Sequence, residues 1–276
     1  MNNRNDGEFF DLKCRLNSVF ESLTLQKPHI FCYDLTDSTN TRAKCFAESG
    51  ENVGCAPAIF FSRAQSAGRG TRSRTFESPQ DSGAYVSFLF YPERLPGGAG
   101  ITAYAAVAAA RAVDSLSGGR LTTRIKWVND LVINDKKLGG ILSESRLNGD
   151  GCDYAIVGIG INLKMDGHSP EVTDIMTSLD EIGVSTTAYE LALALTREFF
   201  THLNEADGEI TLEEYRTRSS LIGREVTLSR SEKKECVHVI GIDGDGSLIV
   251  KDKDGCEHKY NSGDVSVRPA RNEEEA

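Results

Sequence analysis

Phe9, Leu12, Leu16, Val19 and Leu23 recur at intervals of three and four, the spacing of one helical face, and Pro28 ends that stretch. His29 to Tyr33 then reads as a short strand. The polar turn Thr36-Asp37-Ser38-Thr39-Asn40 offers Asp37 or Ser38 as the cap of a helix running through Arg42 to Glu48. Ala58 to Ala64 and Ala84 to Tyr91 are apolar runs of strand length. Ile101 to Leu116 is an alanine-rich helix, whose small side chains let it lie close against a sheet. A strand follows at Thr122 to Trp127. Leu131 to Ile133 and Leu138 to Glu144 form a hairpin about Asn134-Asp135-Lys136, and Asp153 to Ile159 is one more strand. Leu191, Leu195, Phe199 and Leu203 repeat every four residues and predict a helix.

Strands mostly adjoin strands in this pattern. It predicts an α+β fold, a mixed and mostly antiparallel sheet with helices on one face, over a doubly wound parallel sheet. The texture changes near Ser219. Glu225 to Ser229, Val237 to Ile242, Ser247 to Lys251 and Val265 to Val267 are short strand-like runs between turns, one of them Asp243-Gly244-Asp245-Gly246. Such a series suggests a small β-barrel.

Composition narrows the picture. The 276 residues carry 39% hydrophobic and 26% charged positions, those of an ordinary globular protein, and a net charge of -10. That sign argues against non-specific nucleic-acid binding, which needs a broad basic surface. Seven scattered cysteines without a C-x-x-C pair point to free thiols in a reducing cytoplasm, and the histidines have no metal-ligand spacing. The N-terminus lacks a signal-peptide apolar core, and no apolar run approaches membrane-spanning length.

Against the acidic background, Gly68 to Pro79 (GRGTRSRTFESP) sets two glycines and three arginines within seven residues. Glycine lets backbone N–H groups approach a ligand, and arginine forks match phosphate and carboxylate. By itself the stretch reads more readily as a solvated basic loop, and the second motif reverses that reading. The second motif, Lys126 to Glu144 (KWVNDLVINDKKLGGILSE), brings Lys126, Trp127, Asn129, Asp130, Lys137, Gly139 and Gly140 together. Cations for phosphate, a carboxylate for Mg²⁺ or a ribose hydroxyl, and an amide for a base edge are what a nucleotide site needs. An exposed hairpin with solvated lysines is the plain alternative. The third, Gly158-Ile159-Gly160-Ile161-Asn162, lacks the third glycine of a dinucleotide fingerprint; as a strand, its glycines permit close backbone approach and Asn162 can reach a ligand.

With Ser38-Thr39-Asn40, these motifs resemble the biotin protein ligase family, which shows G-R-G-R-x-G-R-x-W-x-S-P, K-W-P-N-D, K-x-x-G-I-L-x-E and G-x-G-I-N in this order. The resemblance runs from about Pro28 to Pro269, and Gly263 to Arg268 looks like the family's closing strand. It implies a fold like that of class II aminoacyl-tRNA synthetases and biotin ligases, with an SH3-like C-terminal barrel. The expected organisation is a helical extension over 1–27, a catalytic biotin- and ATP-binding domain over 28–218, the barrel over 219–270 and an acidic, disordered tail over 271–276.

The activity so implied is formation of biotinyl-5′-AMP from biotin and Mg·ATP, then transfer of biotin to a lysine of a biotin carboxyl carrier protein. Lys137, Arg69, Arg72 and Arg74 take the catalytic, charge-neutralising roles. Ser38, Thr39, Asn40, Gln65, Arg69, Gly70, Thr71, Lys137 and Gly140 fall at biotin-binding positions. Arg72, Arg74, Lys126, Trp127, Asn129, Asp130 and Asn162 fall on the nucleotide side, with Asp130 the metal candidate and Trp127 either flanking the adenine or in the core. The chain departs from the family pattern at Thr71 (for arginine), Ser73 (for glycine), Phe76 (for tryptophan) and Val128 (for proline). Fewer than thirty residues precede the Ile30 strand, too few for the winged helix of the family's repressors, so no operator binding is expected. A homodimer accords with some family members. A lipoate or octanoate transferase and a non-catalytic biotin binder are the alternative readings.

Overall fold

The computed structural model describes residues 3–52, 55–92, 100–149, 151–205, 208–230, 233–261 and 266–269. The acidic tail and residues 263–265 of the expected closing strand lie outside them. In chain order the elements are α1 (Asn3–Ser22), β1 (His29–Tyr33), α2 (Thr39–Glu48), β2 (Ala58–Ser62), β3 (Gly83–Phe90) and α3 (Gly100–Leu116). β4 (Arg124–Lys126), β5 (Asp130–Ile133), β6 (Lys136–Asn148) and β7 (Gly151–Asn162) complete the first sheet. Then come α4 (Pro170–Thr173), α5 (Ala188–Glu205) and α6 (Gly208–Thr217). The last strands are β8 (Glu225–Arg230), β9 (Lys233–Ile242), β10 (Leu248–Lys251), β11 (Glu257–Tyr260) and β12 (Ser266–Pro269).

The first sheet has the order β1-β2-β3-β7-β6-β5-β4, and only the β1–β2 pair is parallel. The hairpin turn is the two-residue Asn134-Asp135, with φ of 51° and 60°. Two successive left-handed residues match the right-handed strand twist, and Asn and Asp tolerate that backbone. Lys136 is therefore the first residue of β6, paired with Ile133.

Strand periodicity then decides what each face holds. Ile59, Phe61, Val86, Phe88, Val157 and Ile159 join α1, α3 and α5 in one apolar cluster, which continues into Val226, Leu228, Val239 and Leu248 of the second sheet. Their alternates Ala58, Phe60, Leu89 and Ile156 pack with Ala43 of α2 on the opposite face. The three long helices thus share one face, while α2, which its short apolar pattern assigned to neither, covers part of the other. The rest of that second face is left for the site.

The second sheet is antiparallel in the order β11-β10-β9-β8-β12. β11 (EHKY) lacks an apolar alternation and was not legible as a strand. α6 carried no clear periodic signal either. It is fixed by tertiary contacts, with Tyr215 fully buried and Arg218 bonding both Asp114 of α3 (2.7 Å) and Glu214 (2.7 Å).

Candidate active site

The floor of the site is two rows of residues across adjacent strands. In one, Tyr85 of β3 pairs with Gly160 of β7, Gly160 with Gly140 of β6, and Gly140 with Asp130 of β5; in the next, Ser87 pairs with Gly158 and Gly158 with Leu142. Both rows project on the α2 face. The glycines leave room above the sheet: a β-carbon on Gly160 would meet the Phe76 ring at 2.8 Å. The resulting cavity of about 390 Å³ is walled by α2, the Gly/Arg loop, the β5–β6 hairpin and the segment before Thr177.

At one end a continuous series of hydrogen bonds fixes the polar side chains. The Thr39 backbone N–H donates to Gln65 Oε1 (2.8 Å), and Gln65 Nε2 donates to Ser78 Oγ (3.0 Å). The Ser87 hydroxyl lies 2.7 Å from Thr39 Oγ1 and 2.6 Å from Asn40 Oδ1. Asn40 Nδ2 donates to Leu142 O (3.2 Å) and Glu144 Oε2 (2.9 Å). Glu144 in turn accepts a two-pronged bond from Arg69, at 3.0 and 2.9 Å. Forked pairing of this kind fixes orientation as well as charge. Ser38 takes the N-cap position of α2, but its side chain makes no cap bond. Asp37 instead accepts from the Ser38 N–H and from Arg42, and those bonds hold its carboxyl below its usual range despite the opposing cost of burial.

At the other end Lys137 Nζ stands 2.7 Å from Asp130 Oδ1 and 5.7 Å from the centre of the Phe76 ring. Asn129 donates to Ile141 O at 2.7 Å and accepts at its own carbonyl from the Ile141 N–H at 2.9 Å, which locks the segment before β5 onto β6. Burial of Tyr85 pushes its phenol up to about 12, so at neutral pH it is an uncharged member of the lining.

The Gly/Arg loop is a small hairpin of its own. The Phe76 N–H donates to Gly68 O (2.9 Å) and the Gly70 N–H to Arg74 O (2.7 Å), around a 3₁₀ turn in which Arg72 has a φ of 56°. Arg74 folds back on Thr71, 3.4 Å from its carbonyl and from its hydroxyl.

Of the residues singled out from sequence, Ser38, Thr39, Asn40, Gln65, Arg69, Gly70, Thr71, Arg74, Asn129, Asp130, Lys137 and Gly140 line this one cavity. Arg72, Lys126, Trp127 and Asn162 do not. Trp127 is 6% exposed and its indole N–H donates to Gly246 O (2.9 Å), so it joins the two sheets instead of flanking a ligand. Asn162 is fully buried and donates to Thr177 O (3.0 Å), tying down the return of the following loop. Asp130 is paired with Lys137, and no cluster of three metal-ligating residues occurs among the described residues.

Sequence reading assigned no role to Phe76, Glu77, Tyr85, Glu144, Val172, Ile175 or Met176. Phe76 fills the tryptophan position of its motif; Val172, Ile175 and Met176 carry no motif, and only their position along the cavity marks them. Glu144 stood within the K-x-x-G-I-L-x-E pattern, and its alternation with Leu142 on β6 is the signal that places it on the site face.

Fixed amide and hydroxyl groups thus lie beside two arginines and a lysine in a single cleft. That arrangement suits a molecule with a polar head and an anionic end.

The profile of the biotin/lipoate A/B protein ligase family matches residues 33–162, and that of the biotin protein ligase C-terminal domain matches 221–268. The bifunctional ligase/repressor BirA of Bacillus spizizenii is 28% identical over 249 residues, spanning 87% of this chain and 74% of that protein. The biotin–[acetyl-CoA-carboxylase] ligase of Paracoccus denitrificans is 38% identical over 132 residues, 46% of this chain and 52% of that protein. A solved structure of the Aquifex aeolicus biotin protein ligase in complex with biotin and ATP has a TM-score of 0.73 at 24% identity, covering 88% of this chain and 99% of that one, and shares the fold.

Proposed function

The chain belongs to the biotin/lipoate A/B protein ligase family, and on that premise we propose that it is a biotin protein ligase acting on a biotin carboxyl carrier protein. The observation that carries the reading is the convergence of Arg69, Arg74 and Lys137 with the Thr39–Gln65 and Asn40–Glu144 hydrogen bonds on one cavity.

In the first step a biotin carboxylate oxygen attacks the α-phosphorus of ATP and the bond to pyrophosphate breaks. Both reactants are anions, so fixed cations that neutralise their repulsion and the charge building on the α-phosphate lower the barrier most. Lys137 is placed for this, because a substrate anion can replace Asp130 as its partner without moving the lysine from its strand. Arg69 is held at the opposite wall by Glu144, at 2.9 Å. Thr39, Asn40 and Gln65 offer the donors and acceptors that a ureido ring requires. Mg²⁺ would neutralise charge on the triphosphate and needs few protein ligands there; Asp130, which lines the cavity, would be its carboxylate.

In the second step the amine of an acceptor lysine attacks the acyl carbonyl of the mixed anhydride, and AMP leaves. Water competes for that anhydride. Phe76, Val172, Ile175 and Met176 give the cavity an apolar wall, which disfavours water beside the anhydride. Seven free cysteines accord with a reducing cytoplasm as the place of action.

The test is biotin transfer to a purified carrier domain with Mg·ATP, read by avidin blot, beside Lys137→Ala. ATP-dependent labelling that collapses in the variant is expected. Biotin binding without labelling turns the reading to a non-catalytic binder, and labelling with lipoate or octanoate alone turns it to that acyl class.

A further inference from the structure

The segment from Lys164 to Met176 leaves the end of β7, lines the cavity with Val172, Ile175 and Met176, and returns to β6 at Lys137. Its far end is stitched to the backbone of Lys137: the Lys137 N–H donates to Ile175 O (2.9 Å) and the Thr177 N–H to Lys137 O (2.9 Å). Its near end meets the Gly/Arg loop through a different device. The Ser169 N–H donates to Glu77 Oε2 (3.0 Å) and the Ser169 hydroxyl to Glu77 Oε1 (2.7 Å).

Three further observations bear on this contact. Ser169 is the N-cap of α4, yet its hydroxyl makes no cap bond because it is spent on Glu77. His168, whose side chain has 0% exposure, places Nδ1 3.5 Å from Glu77 Oε2. Pro79 packs against Gly167, with Cβ 3.0 Å from where a side chain would start. The two Ser169 bonds, helped by His168, hold the Glu77 carboxyl below its ordinary range.

We propose that Glu77 is a positioning residue that clasps the 164–176 strap to the Gly/Arg loop, so that the walls bearing Arg69, Arg74 and Lys137 close over the acyl-adenylate as one unit. This rests on the biotin-ligase reading for its substrate. Nothing in the motifs marks Glu77, which occupies the unspecified position of W-x-S-P. Its effect follows from topology. The strap is tied to Lys137 by a backbone ladder that side-chain changes leave intact, whereas its hydrogen bonds to the arginine loop all end on one carboxylate, beside the Pro79–Gly167 contact. Cutting that tie frees one end only. Lys137 keeps its place, and what is lost is retention and shielding of the intermediate.

The experiment compares Glu77→Ala, Glu77→Gln and Ser169→Ala by hydrogen exchange of the 164–176 amides and by release of biotinyl-AMP from the loaded protein. Two bonds to a carboxylate correspond to about tenfold or more in an opening equilibrium. Glu77→Ala is therefore expected to speed exchange at Ser169 and release of the adenylate by about that factor, with biotin affinity changed less than about twofold. Glu77→Gln keeps an acceptor for the Ser169 N–H and is expected to restore most of both. Ser169→Ala is expected to have a smaller effect, and to add little on top of Glu77→Ala. Exchange and release unchanged in Glu77→Ala, or an equal loss in Glu77→Ala and Glu77→Gln, overturns the clasp. A parent protein that forms no biotinyl-AMP overturns the ligase reading instead, and exchange in the unliganded chain still judges the clasp.

Discussion

A β-carbon placed on Gly158 would stand 2.0 Å from Oδ1 of Asn40. The two residues are 118 apart in sequence, and the closeness of α2 to β7 at this point is what lets Asn40 reach both Ser87 and Glu144. Gly158→Ala is expected to push α2 outward, destabilising the fold by about 1–3 kcal/mol, the usual cost of overpacking. It is expected to weaken biotin binding more than Ala substitution at Gly241, where nothing lies within 4 Å. Thermal unfolding and calorimetry read the two effects. Unchanged affinity in Gly158→Ala would mean that Asn40 does not organise the pocket.

Lys137 and Asp130 are to be tested separately. Removing an electrostatic donor from a reacting centre commonly costs about 10²–10³ in rate. Lys137→Ala is expected to lower biotin-dependent ATP–pyrophosphate exchange by that order, mainly in kcat. Asp130→Asn leaves the ammonium in place and is expected to cost far less in kcat, with its main effect on the KM for ATP. Equal losses in both variants contradict the assignment.

Thr71 stands where the family pattern has an arginine, and here the neighbouring Arg74 folds onto it. Thr71→Arg adds a cation beside the site, so slower escape of biotinyl-AMP is expected, by several-fold. Pre-loaded protein chased with unlabelled ligand measures it. Release as fast as in the parent sinks the idea.

Burial pushes the Glu214 carboxyl up, but bonds from Arg111 and Arg218 outweigh it and hold the group below its ordinary value. A depressed carboxylate adds stability above its unfolded pKa of about 4.3, and that stability is lost as pH falls through the folded value. The Tm of the parent is thus expected to drop from about pH 4.5 downward. Glu214→Gln is expected to flatten that slope while lowering Tm at pH 7. Identical slopes would place the acid sensitivity elsewhere.

The motifs brought most of the cavity within reach of sequence because their residues lie on contiguous segments: a polar turn opening a helix, a glycine-bearing loop, and a hairpin whose Asn-Asp turn sets its own register. Where Trp127 and Asn162 went elsewhere, the reason is packing. Trp127 has the right chemistry to stack on a base, but its N–H is satisfied by Gly246 O in the second sheet. Asn162 has the right chemistry to bind a ligand, but the loop returning to Thr177 uses it.

By itself the sequence determined the elements with strong periodicity, the mixed sheet with its smaller β companion, and most of the cations and amides that line one cavity. Those are local properties, set by spacing along the chain and by residue chemistry. Tertiary structure alone decided that α2 lies on the site face, that Glu144 holds Arg69 and Asn40, and that Glu77 joins the strap to the loop. Each depends on residues 75 or more positions apart meeting across strands, and no local pattern encodes which distant carboxylate will find which donor.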